Sequence, residues 1–233
     1  MKVKKILAVP VLAVLMATVL FGCSPTLEKK AEEYLVKYDD TFTYVDKKEN
    51  NGSNTYYFSS QKFPGETVSV HYEAAFESLG REPFSDNYAS LMLREDGLKK
   101  GREIVDKAFP GADYEICQSR GEYSNYFDKD SDFALFYAAQ GAHYGVVMYK
   151  NVTEEELKAD SEKLKEALMG EKDAVQMATA QAGVRVLYYP EDAAKTGVST
   201  YEDFDKLTDY SAVLRVNFSK VKEECNVEEM ELK

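Results

Sequence analysis

Residues 67–73 read Thr-Val-Ser-Val-His-Tyr-Glu, and no other stretch constrains the fold as tightly. Val68, Val70 and Tyr72 alternate with Ser69, His71 and Glu73, the period-two pattern of a strand with one face in a core and the other toward solvent. Such a strand needs partners, and the chain supplies them immediately upstream. Phe42-Thr43-Tyr44-Val45 and Thr55-Tyr56-Tyr57-Phe58 are aromatic and β-branched runs on either side of Asn50-Asn51-Gly52-Ser53-Asn54. An Asn-Gly pair adopts the positive φ angles of a tight hairpin, and Pro64-Gly65 marks the next turn.

Helical spacing surrounds these strands. Leu27, Ala31, Tyr34, Leu35 and Tyr38 share one face of a first helix, with Thr26 as its N-cap. Beyond Pro83, a helix opened by Ser85 or Asp86 carries Tyr88, Leu91, Met92, Leu98, Val105, Ala108 and Phe109 on one face, with Gly97 and Gly101 weakening its middle. Thr153-Glu154-Glu155-Glu156 is a capping box followed by Leu157, Leu164 and Leu168. Strands are expected over 113–118, 133–139, 146–150, 184–189 and 211–218. A short helix is expected over 199–207, capped by Ser199 with Glu202. Residues 174–182 fit a short helix or a strand. Strand–turn–strand leading to helix recurs at 55–73 and 133–150, which is either an internal duplication or ordinary α+β order.

The expected fold class is therefore α+β, with antiparallel sheets built from hairpins and flanked by amphipathic helices. The organisation reads as residues 1–22, then one domain over 23–219, either undivided or as two small lobes meeting near 111–132, then a charged, frayed tail over 220–233. Hydrophobic residues at 44%, with 17 Tyr and 12 Phe, suit a packed core. A formal charge of −12 excludes a nucleic-acid role, which needs a basic footprint. Cys117 and Cys225 either pair outside the cytoplasm or remain free thiols.

The first 23 residues carry the address. Lys2, Lys4 and Lys5 precede an apolar run from Ile6 to Phe21 broken only by Pro10 and Thr18, short for a spanning helix and right for a secretory signal. Leu20-Phe21-Gly22-Cys23 resembles the lipobox of bacterial lipoproteins. The resemblance implies cleavage after Gly22, a diacylglyceryl thioether on Cys23 and a domain held at the extracytoplasmic face of the cell membrane. Buried acyl chains contribute about 0.8 kcal/mol per methylene, so two or three chains make a stable anchor. The acidic chain should be repelled by anionic headgroups, which leaves the acyl chains to supply the membrane affinity. As a whole the chain resembles the small lipoproteins of low-GC Gram-positive bacteria, a likeness that transfers no site residue beyond Cys23.

Catalytic signatures are missing: there is no Gly-x-Ser-x-Gly, phosphate-binding glycine loop, Cys-x-x-Cys or His-Glu-x-x-His. Of the two histidines, His71 lies on the face opposite Val68, Val70 and Tyr72, and His143 sits in a glycine-flanked turn. Neither calls for a metal or cofactor. The best local candidate for binding is the loop carrying Arg120, Tyr123, Tyr126, Phe127, Asp128, Asp130 and Asp132. Its alternating aspartates resemble the start of a calcium loop, but Phe133 replaces the required glycine and Ala139 the closing glutamate, so a solvated acidic turn is the simpler account. Its rings either form a contact surface or fold back onto the sheet. The expected function is a non-catalytic surface module that binds a protein or envelope component. The alternative is an envelope hydrolase with a carboxylate site.

Overall fold

The computed structural model describes residues 25–50, 52–119, 121, 123–177 and 179–233. The expectations for the signal segment 1–22, for Cys23 and for Arg120 fall outside these residues. No helix among the described residues is long and apolar enough to cross a membrane.

The chain is α+β, with seven helices and two sheets among the described residues. Helix α1 (Leu27–Leu35) starts where the Thr26 hydroxyl accepts from the Lys29 amide. A 3-10 turn (Val36–Tyr38) leads into β1 (Phe42–Asn50), β2 (Ser53–Ser60) and β3 (Thr67–Glu73). Asn50 pairs with Ser53 across the hairpin, and Gly52 takes a φ of +86°. A short α2 (Ala74–Ser78) precedes the edge strand β4 (Phe84–Asp86). The four strands pair antiparallel in the order β1-β2-β3-β4. Val68, Val70 and Tyr72 are buried against Ala31 and Leu35 of α1, as the alternation predicts.

Where one helix was expected from Ser85 or Asp86, the chain forms β4, then α3 (Tyr88–Met92) and α4 (Arg94–Ala108). The break falls at Leu93, ahead of both glycines. Gly101 serves close packing instead: a Cβ there would lie 2.6 Å from the Tyr144 ring. Glycine here costs helix propensity but lets α4 lie on the second sheet.

That second sheet runs β5 (Tyr114–Gln118), β6 (Gly141–Tyr149), β7 (Gln181–Tyr189), β8 (Ala212–Ser219) and β9 (Glu224–Leu232), in that spatial order. Three of its pairings are antiparallel. The β6–β7 pairing is parallel, because helix α6 (Glu154–Met169) makes the crossover between them. Thr153 and Glu156 form the expected capping box of α6. Both faces of this sheet are buried. Val146, Val184, Val186 and Leu214 face α4 and α6, and Cys117, Val147, Leu187 and Val213 pack with Phe204 of α7 (Tyr201–Asp205). A two-sided core gives near-continuous apolar runs without clear alternation.

Further expectations need correction, and two open alternatives are decided. Residues Phe133–Gln140 form helix α5, not a strand. Asp132 caps it, and Phe133, Phe136 and Tyr137 meet at helical spacing, stacking at 6.2 and 5.5 Å. With that helix in place, 133–150 does not repeat 55–73. His143 lies within β6 rather than in a turn, and burial pushes its pKa down. The cap of α7 is Thr200, whose hydroxyl accepts from the Asp203 amide, not Ser199. Residues 171–174 are turns and β7 begins at Gln181, so no helix occupies the described part of 174–182.

The 220–233 tail is not frayed, since β9 pairs along β8 from Ala212–Leu232 to Ser219–Glu224. Cys225 and Val227 pack on the core while Arg185 and Arg215 hold Glu229 and Glu228, each at 3.2 Å. The two cysteines are free. Cys117 and Cys225 sit in strands at opposite edges of the sheet and face different cores, so they cannot pair.

Candidate functional site

After β5 the chain leaves the second sheet and, among the described residues, forms one backbone bridge to the first. Ser124 pairs through both backbone groups with Asp86 of β4, at 3.0 and 2.9 Å. The Tyr34 hydroxyl donates to the Ser124 carbonyl at 3.3 Å, and the Tyr126 amide donates to the Ser124 hydroxyl at 3.2 Å. Ser124 is thus a pin that fixes the loop to the edge of the sheet.

The pin itself rests on Asp86, whose side chain is fully buried. Its carboxylate accepts from the Tyr38 hydroxyl at 2.9 and 3.1 Å and from the Tyr88 amide at 2.8 Å, and pairs with the Lys37 ammonium at 3.0 Å. Lys37 also lies 4.0 Å above the Tyr34 ring. Burial, then the adjacent Asp86 charge, push the Tyr34 and Tyr38 phenols far up, so both remain neutral donors. A buried carboxylate is tolerable only with such a full set of partners.

Around this support the loop residues separate by role. Tyr123 and Tyr126 flank the pin and are 46% and 73% exposed, whereas Phe127 is 2% exposed and packs against Phe136, ring centroids 5.3 Å apart. The loop's rings therefore divide between contact surface and core. The aspartates are accounted for locally. Asp128 accepts from the Asp130 amide and the Ser131 hydroxyl, Asp130 pairs with Lys129, and Asp132 accepts from the Leu135 amide as the cap of α5. Among the described residues no group of three His, Cys, Asp or Glu side chains is placed to hold a metal.

Opposite the two tyrosines lies the edge of the first sheet, and the space between is an open groove of about 570 Å³. His71, Glu73, Phe76 and the segment 81–85 line it together with residues 123–126. The His71 imidazole and the Tyr123 ring lie 5.5 Å apart, tilted 39° to each other. The Arg81 guanidinium sits 5.0 Å over the Phe76 ring. Glu82 caps its own strand by accepting from the Phe84 amide at 3.1 Å, and Glu73 lies 3.8 Å from His71.

No family model, curated protein or solved structure matches this chain. The site must be read from its own chemistry. Two other hollows are weaker candidates. A cavity of about 110 Å³ beside Gln118 and His143 holds no more than a few waters, and the cleft around Arg94 has its cation already paired to Glu66 at 2.7 Å.

Of the loop residues singled out in the sequence, Tyr123 and Tyr126 come together at the groove, and Phe127 and the three aspartates do not. The other wall, 71–85, carries no sequence motif that marks it as part of a site. Only the exposed placement of His71 on its strand pointed that way, and nothing local reports that β4 would face the loop.

Proposed function

We propose that the chain is a surface lipoprotein, anchored by acyl chains on Cys23, whose domain binds an envelope component or protein in the groove between β4 and the 123–126 loop. The observation that carries the binding half is the pinned loop. Two tyrosines stand exposed on a backbone tied to β4 through Asp86 and to α1 through Tyr34, and aromatic contacts positioned in this way lose little entropy on binding. The anchor half rests on the lipobox alone.

Binding is favoured over hydrolysis by the state of the carboxylates. A carboxylate-based hydrolase needs one acid held neutral near pH 7. Among the described residues, the carboxylates whose pKa is clearly displaced are displaced downward. Partial burial works against the charge on Asp40 and Glu115, yet hydrogen bonds from Ser60 and Tyr88, and from Thr196 and Tyr149, outweigh it. Exposed Glu77, Glu154, Glu156 and Asp203 are lowered as well, by hydrogen bonds to neighbouring side chains or backbone.

Two measurements test the reading. In detergent phase separation of whole cells the wild type should follow the detergent phase and Cys23→Ser the aqueous phase; membrane-bound Cys23→Ser would overturn the anchor. A photoreactive residue at position 126 should crosslink to an envelope component in intact cells. A crosslinking pattern identical to that of a probe at exposed Met177, on another part of the surface, would overturn the groove as the contact site.

A further inference from the structure

Building on the groove as a binding site, we infer that its occupant is an uncharged glycan strand. The shape comes first. The hollow is open to solvent and lined by residues of the first sheet and of the 123–126 loop, which suits an extended ligand better than a compact one needing enclosure.

The lining comes second. Tyr126, Tyr123 and Phe76 are 73%, 46% and 42% exposed and surround no deep apolar hole. Flat ring faces with partial negative charge complement the C–H faces of a pyranose. Between them stand planar polar groups: the Arg81 guanidinium, the Asn125 amide and the Glu73 and Glu82 carboxylates. Arg81 has no ion-pair partner among the described residues and is held only over Phe76. Sugar hydroxyls donate and accept at once, so they satisfy all four groups.

Charge removes the main competitors. A polyanion meets a chain of net charge −12 and two groove carboxylates. A basic segment meets Arg81, and an acidic one meets Glu73 and Glu82. A proline-rich segment fits aromatic troughs, but proline has no N–H. It would partly desolvate Glu73 and the second oxygen of Glu82, whose first accepts from the Phe84 amide, without offering a donor, which is costly. A neutral polyhydroxyl chain has neither defect.

The test uses the full chain in detergent micelles, titrated calorimetrically with chitotetraose and cellotetraose, and with decaproline as the competing probe. Saturable binding of at least one sugar is expected, weakened about tenfold or more by Tyr126→Ala and by Glu73→Gln, and unchanged by Met177→Ala. Circular dichroism of each variant checks folding; Tyr126 is exposed enough for its truncation to leave the fold intact. Binding of decaproline with the same Tyr126 dependence, and of neither sugar, would overturn the glycan in favour of a peptide. Binding of neither sugar would overturn the glycan, and a Tyr126-dependent crosslink in intact cells would then leave the groove as a binding site. Loss of discrimination by Tyr126→Ala in every assay would overturn both.

Discussion

Asp86→Ala should be the most damaging single truncation in the first sheet, and its cost can be worked from the geometry. Three donors converge on this carboxylate: the Tyr38 hydroxyl, the Tyr88 amide and the Lys37 ammonium, the first two buried. Truncation leaves the phenol and the amide without an acceptor, at about 1–3 kcal/mol each. Lys37 is 22% exposed and turns toward water more cheaply. The expected loss is about 3–5 kcal/mol, in the range for breaking a buried charged pair and a large share of a typical domain's stability. Asp86→Asn keeps one acceptor oxygen and should cost roughly half as much. Urea unfolding followed by far-ultraviolet circular dichroism reads both, with Asp130→Ala, 78% exposed at its side chain, as a control expected within about 0.5 kcal/mol of wild type. A loss below about 1 kcal/mol for Asp86→Ala, or equal losses for Ala and Asn, would refute the claim that hydrogen bonding at this carboxylate holds the sheet edge and its loop.

Other consequences can be checked independently. Glu115 accepts from the Thr196 amide and hydroxyl, the Gly197 amide and the Tyr149 hydroxyl, tying down the long connection after β7. Its folded pKa lies below the ordinary 4.5, so its stabilisation is present above pH 4.5 and drains away as pH falls through the folded value. The melting temperature of Glu115→Gln should accordingly be lower at pH 7 and fall less steeply than wild type below pH 4.5. Gly145→Ala would place a Cβ 2.7 Å from the fully buried Phe204 ring. It should cost about 1–3 kcal/mol in denaturant unfolding, with partial recovery in the Gly145→Ala, Phe204→Leu double variant. The open edge at β9 carries Glu224, Glu228, Glu229 and Glu231, which discourage strand addition by a second copy. Replacing Glu224 and Glu231 with Thr should raise the dimer fraction in sedimentation, and an unchanged monomer would count against that role.

What the sequence declared, it declared locally. The Asn-Gly hairpin, the Thr26 cap, the Thr153–Glu156 box and the Val68-Val70-Tyr72 alternation each depend on residues within a turn or two of one another. The failures are long-range. Phe133 to Ala139 looks like a strand by its aromatics, and becomes a helix because Asp132 caps it and its rings find Phe127 and one another. The tail reads as frayed because its charge is high, and becomes β9 because Arg185 and Arg215 lie across from it. The parallel β6–β7 pair was hidden by burial on both faces, which removes the alternation that would mark orientation. The site shows the same division. Tyr123 and Tyr126 stood out as a cluster in a polar loop, but the opposite wall lies some forty residues upstream and only the Asp86–Ser124 pairing brings it there.

The parallel β6–β7 pairing also bears on the order in which the molecule assembles. The first sheet is made of neighbours in sequence, each strand pairing with the one before it. Such low contact order favours fast closure. The second sheet must hold β6 open until α6 has formed and β7 has arrived, and its far edge is contributed by the last residues of the chain. A chain emerging from its N-terminus would therefore have its first sheet closed while half of the second was still missing. For that interval β6, with its run of buried valines, is the segment most exposed to wrong partners, and passage through the crossover is the step that decides between folding and aggregation.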